Sequence, residues 1–311
     1  MLDFSNSKIL IVGDVMLDKY YFGKVDRISP EAPVPIVNIQ KEESRLGGAS
    51  NVANNIVSLG GHSLLCGVIG HDLFGKEIER ISRHKNIDTF LLKTSSPTIT
   101  KARIIGGKQQ IVRVDYEDKS ELNADNKKLF RDTISRILPE YDILVISDYG
   151  KGLISEDLCR YLIKLAHKYD KKVIIDPKGK NWEKYSGADI VTPNVKELSD
   201  IVGYTVPTDR AIEKAAREAI TNNHLTALLV TRSDKGMSLI GPIPPIHIPT
   251  HSEEVFDVSG AGDTVVATLG LCLAAGFEIS EAMRTANIAA GIVVKKIGTA
   301  TLTIEELVQQ K

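Results

Sequence analysis

An aspartate directly follows three small residues in the segment VFDVSGAGDTVVATLG, which spans residues 255–270. The apolar run after it predicts a helix, and the first turn of a helix carries free N–H groups and the positive end of its dipole. Gly260, Ala261 and Gly262 would let those N–H groups approach an anion such as phosphate closely. Asp263 is then either an acid that stabilises the start of the helix or a base held beside a bound phosphate.

Several short apolar runs along the chain each end in a polar side chain. Examples are KILIVGD at 8–14, YDILVISD at 141–148 and KKVIID at 171–176, with helical patterns between them. Strands that alternate with helices predict an α/β fold whose mostly parallel sheet is covered on both faces. The carboxyl ends of such strands form the usual ligand crevice. The polar residues predicted at this edge are Asp14, Asp148, Asp176, Asn194 and Thr231.

Residues 20–40 and 98–117 interrupt this alternation, because both stretches are extended and contain no helix. In the second stretch, Gly106 and Gly107 predict a hairpin turn. We expect both stretches to form one small sheet that covers the crevice as a lid, within a single domain spanning residues 1–311. A small sheet leaves an apolar face uncovered, so we also expect a homodimer in which two lids pack together.

The segment GGASNVANNIVSLGG at 47–61 predicts a helix bounded by glycines. Its asparagines are either hydrogen-bonded amides of the core or ligands for a substrate. In the second interpretation, Gly47 and Gly48 bring the backbone close to a polyol, and Asn51 hydrogen-bonds its hydroxyl groups.

Two further segments end strands of the predicted sheet. TPNVKE at 192–197 has the pattern of a capping box, with Asn194 as N-cap and Glu197 three residues later. A carboxylate so close to a strand end could also order water around Mg²⁺. TRSDKG at 231–236 reads most simply as a turn between two strands, although Thr231 and Gly236 could contact a nucleotide.

Lys151 in SDYGKG and Lys178 in DPKG each follow a strand-end aspartate closely. They are either solvated loop charges or ligands for a phosphate on the substrate. The whole chain is nearly neutral, with 39 Lys and Arg against 40 Asp and Glu. A phosphate site therefore needs dedicated local cations, and Arg103 and Arg113 of the second extended stretch are further candidates.

The sequence argues against several other classes of protein. Its near-neutral charge disfavours a polybasic surface for nucleic acid. No G-x-G-x-x-G follows the first strand, where only Gly13 is present. GHDLFGKE at 70–77 resembles a Walker A loop, but Glu77 stands where Ser or Thr would bind magnesium. A strand-to-helix turn is the better interpretation of that segment.

Cys66, Cys159 and Cys272 lie far apart, which disfavours a disulfide framework or a zinc site and favours a reducing compartment. The acidic and polar start of the sequence does not match a signal peptide. No apolar stretch reaches the ~20 residues of a membrane span. We therefore expect a cytoplasmic protein without membrane or nucleic-acid partners.

Together these motifs resemble those of the ribokinase (PfkB-type) family of sugar kinases. GGASNVA resembles the first signature of that family and DVSGAGD the second, with TPNVKE and TRSDKG between them. RISPEAPVPIV, SDYGKG and DPKG further resemble the branch that phosphorylates the C1 hydroxyl of D-glycero-β-D-manno-heptose 7-phosphate for ADP-heptose and lipopolysaccharide synthesis. Ser233 departs from the wider family, which often has glycine there, so the nucleotide loop is expected to differ in shape.

The resemblance implies a ribokinase-like three-layer α/β/α sandwich that uses ATP, Mg²⁺ and, as an option, a monovalent cation. It implies that Asp263 is the catalytic base, that Gly260, Ala261 and Gly262 form an anion hole, and that Glu197 holds Mg²⁺ through water. The ATP-binding residues implied are Asn194, Glu197, Thr231, Gly236 and Asp257. The substrate-binding residues implied are Asp14, Gly47, Gly48, Asn51, Asp148, Lys151, Lys178, Arg103 and Arg113.

Three other functions stay open at this point. A kinase of another, unphosphorylated sugar would not need Lys151 or Lys178 beside the substrate. A non-catalytic nucleotide-binding regulator should have lost Asp263 or the glycines before it, and a scaffold gives no reason for polar residues at so many strand ends.

In many bacteria the heptose kinase is fused to an adenylyltransferase that carries an HxGH-type motif. None of the seven histidines lies in such a motif. We therefore expect a stand-alone kinase or one half of a bifunctional enzyme.

Overall fold

The structure is a computed structural model that describes residues 2–250 and 255–310. Within these ranges the chain forms thirteen strands and nine α-helices. The strands are β1 (Lys8–Gly13), β2 (Val15–Ile28), β3 (Pro35–Gly48), β4 (His62–Gly70), β5 (Asp88–Thr94), β6 (Thr100–Gly106), β7 (Gln109–Tyr116), β8 (Ile143–Ser147), β9 (Lys172–Asp176), β10 (Ile190–Val191), β11 (Ala227–Thr231), β12 (Met237–Ile240) and β13 (Ile246–Ile248). The helices are α1 (Ala49–Ser58), α2 (Leu73–His84), α3 (Ala124–Ile137), α4 (Glu156–Lys168), α5 (Val195–Val202), α6 (Asp209–Asn223), α7 (Ala261–Ala274), α8 (Ile279–Val293) and α9 (Ile304–Gln310).

The larger sheet has the strand order β13-β12-β11-β10-β9-β8-β1-β4-β5. Strands β11 through β5 in this order are parallel, and β12 and β13 add an antiparallel edge. The predicted mostly parallel sheet is thus confirmed. β1 lies between β4 and β8, so the chain order reverses beside it and its carboxyl end, at Asp14, opens into a crevice.

Helices cover both faces of this sheet and produce three layers. On β1, Ile9 and Ile11 pack into the core beneath α1, α7 and α8, whereas Leu10 and Val12 pack into the core beneath α3, α4 and α6. Successive strand residues point to opposite faces, so a fully buried strand needs apolar side chains at every position. That requirement explains the continuous apolar run in KILIVGD.

The second sheet is small and has the order β3-β2-β6-β7. β2 pairs antiparallel with β3 and parallel with β6, and β6 pairs antiparallel with β7. The predicted stretches 20–40 and 98–117 supply these strands, and the turn after β6 uses Gly107 at φ +64°. β2 begins earlier than expected, because only Asp14 separates it from β1.

Helix α7 is apolar on nearly all sides and every residue from Asp263 to Cys272 is buried. A helix of this composition belongs inside a protein, and α7 packs between α1, α8 and the large sheet. Asp263 therefore projects from a helix that its surroundings hold on every side. None of the helices in the described ranges combines the length and apolarity needed to span a lipid bilayer.

Candidate active site

Asp263 lies in the first turn of α7 and is 3% exposed. Its Oδ2 accepts a hydrogen bond of 2.8 Å from Asn51 Nδ2 on α1, and its Oδ1 accepts one of 2.7 Å from the Tyr149 hydroxyl after β8. Burial raises the pKa of Asp263 to about 6, while the bonds from Asn51 and Tyr149 oppose the increase. The carboxylate is thus held in one orientation and is ionised at neutral pH.

The loop before Asp263 presents unpaired backbone N–H groups. Among the described residues, no hydrogen-bond partner is found for the N–H groups of Gly260, Gly262 and Asp263. The Ala261 N–H donates instead to the Val258 carbonyl at 3.2 Å. The helix start can therefore offer three N–H groups to an anion, and Ala261 contributes less than its place in the motif indicated.

The fold constrains the two glycines of this loop differently. Gly260 has φ +79°, and a Cβ on it would lie 2.7 Å from Asn51 Nδ2. A Cβ on Gly262 would meet no atom of the described chain within 4 Å. The fold therefore requires glycine at 260, whereas at 262 the backbone faces open space.

Asp14 connects the two sheets and is buried, 2% exposed. Its Oδ2 accepts hydrogen bonds from the backbone N–H groups of Tyr149 (2.8 Å) and Lys151 (3.0 Å). No partner for its Oδ1 occurs within the described ranges. Burial, and next the charge of Asp148, raise the pKa of Asp14 to about 6. A ligand hydroxyl group would satisfy the unpaired oxygen.

Gly47 and Gly48 end β3 beside this aspartate. A Cβ on Gly48, where φ is +55°, would lie 2.5 Å from the Asp14 carbonyl oxygen, and a Cβ on Gly47 would lie 2.7 Å from Asp18 Oδ2. The positive φ and the nearby Asp14 carbonyl therefore require glycine at 48, whereas a side chain at 47 would have to displace the Asp18 carboxylate.

Asn51 belongs to a buried network that joins α1 to α7. Asn55 Nδ2 donates to the Asn51 carbonyl at 2.9 Å, and Thr264 Oγ1 donates to Asn55 Oδ1 at 3.0 Å. Asn51 is therefore a satisfied amide of the core and also the direct partner of Asp263.

Asp148 points to the loop before β10. Its Oδ2 accepts a hydrogen bond of 2.7 Å from the Tyr185 hydroxyl and pairs with the Lys184 ammonium, and its Oδ1 accepts the Gly150 N–H at 2.8 Å. These bonds fix the segment that carries Tyr149. Asp148 was predicted to bind the substrate, and in the structure it binds the backbone of the loop after β8.

A polar cavity of about 370 Å³ lies beside Asp14. Lys151 lines it together with the N-terminal end of α3 and the segment before β6. The unpaired Oδ1 of Asp14 and the unpaired Oγ1 of Thr94 both belong to lining residues. Its polar lining residues are Asp14, Thr94, Ser95, Ser96, Asp118, Ser120, Glu121, Asn123, Asn126 and Lys151. A lining with this many donors and acceptors suits a polyhydroxyl ligand.

Four cations gather where the small sheet faces the crevice. Arg103 and Arg113 are directly opposite on β6 and β7, and Lys101 lies two residues before Arg103 on the same face. Burial lowers the pKa of Lys101, and the charges of Lys151, Arg103 and Arg113 lower it further. Each of the other three also has an acidic partner: Arg103 pairs with Asp18, Arg113 with Asp115 and Lys151 with Glu117.

Asn194 and Glu197 form the capping box that the sequence predicted at the start of α5. The Glu197 N–H donates to Asn194 Oδ1 at 2.9 Å, and the Asn194 N–H donates to Glu197 Oε2 at 3.0 Å. Lys178 Nζ donates to Glu197 Oε1 at 3.0 Å. Lys178 is therefore paired with Glu197 at the carboxyl ends of β9 and β10.

Of the remaining nucleotide candidates, Thr231 and Gly236 lie farther along the same edge, and Asp257 lies in the segment before α7. Thr231 ends β11, and its N–H donates to the Pro193 carbonyl at 2.9 Å. Gly236 has φ +82°, and a Cβ there would lie 2.1 Å from the Ile248 carbonyl oxygen, so the fold itself requires this glycine. Asp257 accepts from the N–H groups of Ser259 and Gly298, and although burial acts in the opposite direction, these bonds hold its pKa below the usual value.

Within residues 2–250 and 255–310, no group of three or more His, Cys, Asp or Glu side chains has the arrangement of a metal site. Mg²⁺ that arrives with a nucleotide takes most of its ligands from phosphate and water. Each oxygen of Glu197 accepts one hydrogen bond and retains a lone pair for a water molecule. The residues present therefore fit a magnesium ion held by phosphates, with Glu197 behind its water.

Sequence reasoning missed three residues of this site. Tyr149 stands inside the quoted segment SDYGKG, but nothing local to it indicates a bond to Asp263. Asp18 precedes Tyr20 by two residues on β2, and Lys101 precedes Arg103 by two residues on β6. Residues two apart on a strand share a face, so this spacing would have placed all four side chains on one face of the sheet.

Two solved sugar kinases share this fold. Phosphofructokinase-2 from Escherichia coli, in its tetrameric inhibited form, matches with a TM-score of 0.81 at 19% identity over 97% of each chain. Ribokinase from Arabidopsis thaliana, complexed with ribose and ATP, matches with a TM-score of 0.76 at 19% identity over 98% of each chain. At this level of identity the likeness establishes the fold, and the predicted ribokinase-like sandwich is confirmed.

The family model described as pfkB family carbohydrate kinase matches residues 6–306, and the chain belongs to that family. Bifunctional protein HldE of Haemophilus influenzae is 46% identical over 307 residues, which are 98% of this chain and 63% of that protein. Bifunctional protein HldE of Vibrio vulnificus is 45% identical over 309 residues, 99% of this chain and 64% of that protein. The chain thus spans less than two thirds of these relatives, and the expectation of a carbohydrate kinase is confirmed.

Proposed function

We propose that this chain transfers the γ-phosphoryl group of ATP to the C1 hydroxyl of D-glycero-β-D-manno-heptose 7-phosphate and produces the 1,7-bisphosphate. The observation that carries the reaction type is a buried, oriented carboxylate, Asp263, directly beside unpaired N–H groups at the start of α7. The substrate is supported by the motifs RISPEAPVPIV, SDYGKG and DPKG and by the identity to Bifunctional protein HldE. The product would enter ADP-heptose and lipopolysaccharide core synthesis.

In this mechanism Asp263 accepts the proton of the C1 hydroxyl while that oxygen bonds to the γ-phosphorus of ATP. The bond from the γ-phosphorus to the bridging oxygen breaks at the same time, and ADP leaves with those electrons. The N–H groups of Gly260, Gly262 and Asp263 stabilise the charge on the phosphoryl oxygens. Because the pKa of Asp263 is about 6, the base is ionised at neutral pH and still accepts a proton.

The nucleotide is proposed to lie between the start of α7 and the ends of β10 and β11. Asn194 and Thr231 pair at these strand ends and Gly236 follows Thr231 closely, whereas Asp257 lies before α7, where it binds the Gly298 N–H. Mg²⁺ bound to the ATP phosphates neutralises the charge that develops during transfer. Glu197 contributes by orienting a metal-bound water, and Lys178 fixes Glu197 in turn.

The sugar phosphate is proposed to lie on the other side, between Asp14 and the small sheet. Asp14 would accept a hydrogen bond from a sugar hydroxyl group, and the polar cavity beside it has room for the distal carbons of the heptose. The 7-phosphate would be bound by the cluster of Lys101, Arg103, Arg113 and Lys151, since several cations on one face favour a dianion. Lys178, which was a candidate from the sequence, is the weaker one because its ammonium group extends to Glu197 at the start of α5, on the side proposed for the nucleotide.

Turnover of ATP should be measured with heptose 7-phosphate, ribose, fructose and fructose 6-phosphate, with KCl and with NaCl to test for a monovalent cation. Heptose 7-phosphate is expected to give the highest kcat/KM, and Asp263→Asn serves as the inactive control. A preference for an unphosphorylated sugar would reject the substrate, and the absence of turnover with every sugar would reject the kinase proposal.

The small sheet is proposed to act as a lid on one kinase domain. Arg45 on β3 already donates to the Ile297 carbonyl at 2.7 Å, so the sheet reaches the loop after α8. Exclusion of water requires it to close over bound sugar and nucleotide. Hydrogen exchange across residues 20–40 and 98–117 should slow when both ligands bind, and protection limited to the large sheet would argue against a lid.

The outer part of this sheet also supports the proposal of a homodimer. Ile28 and Val34 are 61% and 51% exposed, and Val112 on β7 is 45% exposed. A second copy of the chain would cover these side chains if two lids packed together. Sedimentation at micromolar concentration should detect a dimer, and Ile28→Asp should dissociate it. The three cysteines are buried free thiols, which supports a cytoplasmic location.

A further inference from the structure

Tyr149 contacts both carboxylates of the site but belongs to none of the roles assigned above. Its hydroxyl group donates to Asp263 Oδ1 at 2.7 Å, and its backbone N–H donates to Asp14 Oδ2 at 2.8 Å. Resting on the function proposed above, we propose that Tyr149 is a positioning residue that orients Asp263 toward the acceptor hydroxyl and keeps it ionised.

The two oxygens of Asp263 each have one donor. Asn51 Nδ2 serves Oδ2 and the Tyr149 hydroxyl serves Oδ1, so the plane of the carboxylate is fixed. Burial raises the pKa of Tyr149 well above its usual value, and the charge of Asp263 adds to the increase. The tyrosine therefore remains a proton donor throughout the working pH range, and a donor stabilises the ionised form of its acceptor.

Tyr149 is also fixed from three other directions. Asp148 holds the adjacent Gly150 N–H at 2.8 Å and is itself held by the Tyr185 hydroxyl. Asp14 holds the Tyr149 backbone, and Lys101 Nζ on the small sheet lies 5.7 Å from the centre of its ring. The hydroxyl group thus has little freedom to leave Asp263.

Other charged groups around Asp263 must be included in any interpretation of its titration. Asp18 on β2 raises its pKa and Lys101 on β6 lowers it. Asp176 at the end of β9 and Asp263 also interact, since the charge of Asp263 raises the pKa of Asp176 after burial has done so. Tyr149→Phe leaves all three in place and removes only one donor.

The substitution should raise the pKa of Asp263 by about one unit, because a hydrogen bond to a charged group contributes about that much. Asp14, whose pKa is also about 6, contributes to the acidic limb of the kcat/KM profile, and the part of the limb that is due to Asp263 should move up by about one pH unit. Activity should fall roughly tenfold at pH 5 and approach the wild-type value above pH 8. The KM for ATP should not change, since the tyrosine does not border the nucleotide.

Tyr185→Phe is the matched control. Tyr185 is also a buried tyrosine whose hydroxyl donates at 2.7 Å to a buried aspartate, Asp148. It should lower thermal stability at least as much as Tyr149→Phe but move the acidic limb by much less than one pH unit, because Tyr185 reaches Asp263 only through Asp148 and the loop that carries Tyr149. If both variants shift the limb equally, or if Tyr149→Phe lowers the rate by the same factor at every pH, the positioning role is refuted.

A second readout does not depend on turnover. The Asp263 carboxyl carbon can be titrated by NMR and assigned by its loss in Asp263→Asn. Its pKa should rise by about one unit in Tyr149→Phe and by much less in Tyr185→Phe, and an unchanged pKa in Tyr149→Phe would overturn the inference. Absence of wild-type turnover with every sugar would instead reject the proposed function and leave this titration decisive for Tyr149.

Discussion

Substitution of the two glycines before Asp263 separates catalysis from folding. At Gly262 an added methyl group enters open space, and Gly262 lies within α7 rather than at a positive φ. At Gly260 the same methyl group would lie 2.7 Å from Asn51 Nδ2 on a backbone with φ +79°. Gly262→Ala and Gly260→Ala therefore form a pair in which the same chemical change has different physical consequences.

The expected magnitudes follow from these positions. Gly262→Ala should keep or raise the free energy of unfolding, since alanine in a helix is more favourable than glycine by roughly 0.5–1 kcal/mol. The substitution keeps the backbone N–H, but its methyl group would hold a bound phosphate away from these donors, and loss of the contact to one such donor lowers kcat by roughly 10²–10³-fold. Gly260→Ala should lose about 1–2 kcal/mol from the left-handed backbone alone, before the contact with Asn51 is counted.

The assay measures kcat by coupled ADP release and the free energy of unfolding by urea titration on the same preparations. Gly262→Ala is expected to lose roughly 10²–10³-fold in kcat and remain fully stable, and Gly260→Ala to be impaired in both properties. Wild-type kcat in Gly262→Ala would refute the anion hole at the start of α7. A large loss of stability in Gly262→Ala would contradict the open space that the structure places there.

Four other substitutions test the remaining roles. Asp263→Asn should keep ATP affinity but lose roughly 10²-fold or more in kcat, and wild-type kcat/KM should fall as the pH decreases through about 6, because only the ionised carboxylate accepts a proton; near-normal turnover would reject the base. Glu197→Gln should raise the Mg²⁺ concentration for half-maximal rate, and an unchanged magnesium titration would leave Glu197 as a helix cap. Arg103→Ala should weaken heptose 7-phosphate by roughly tenfold to a hundredfold relative to its dephosphorylated analogue. If Lys178→Ala loses the preference for the phosphorylated sugar and Arg103→Ala keeps it, the sugar phosphate binds on the Lys178 side of the crevice.

The architecture could be predicted because its signals are local. The apolar run before Asp14 and the helical pattern after Asp263 each depend on neighbouring residues, and parallel strands bring their carboxyl ends to one edge without further information. The capping box of Asn194 and Glu197 is likewise a pattern of four residues, and it is present as predicted.

The pairings across the site could not be predicted, since they join distant parts of the chain. The hydrogen bond from Tyr149 to Asp263 spans 114 residues, and the one from Asn51 spans 212. Lys178 follows Asp176 closely, which suggested a phosphate ligand, but its side chain reaches Glu197 on α5. The glycine motif likewise does not reveal that the Ala261 N–H returns to Val258.

The single residue between β1 and β2 has a mechanical consequence. Val15, immediately after Asp14, pairs with Gly48, and the Ala49 N–H then donates to the Asp14 carbonyl at 3.1 Å. The start of β2 and the end of β3 are thus both held at Asp14, where the sugar is proposed to bind. If the small sheet moves on ligand binding, β2 and β3 would pivot at this point. A sugar bound at Asp14 would then contact the hinge directly, while the arginines of β6 and β7 lie farther from it. A sugar that fits poorly at Asp14 would then fail to close the small sheet, so that substrate selection and lid closure would be coupled.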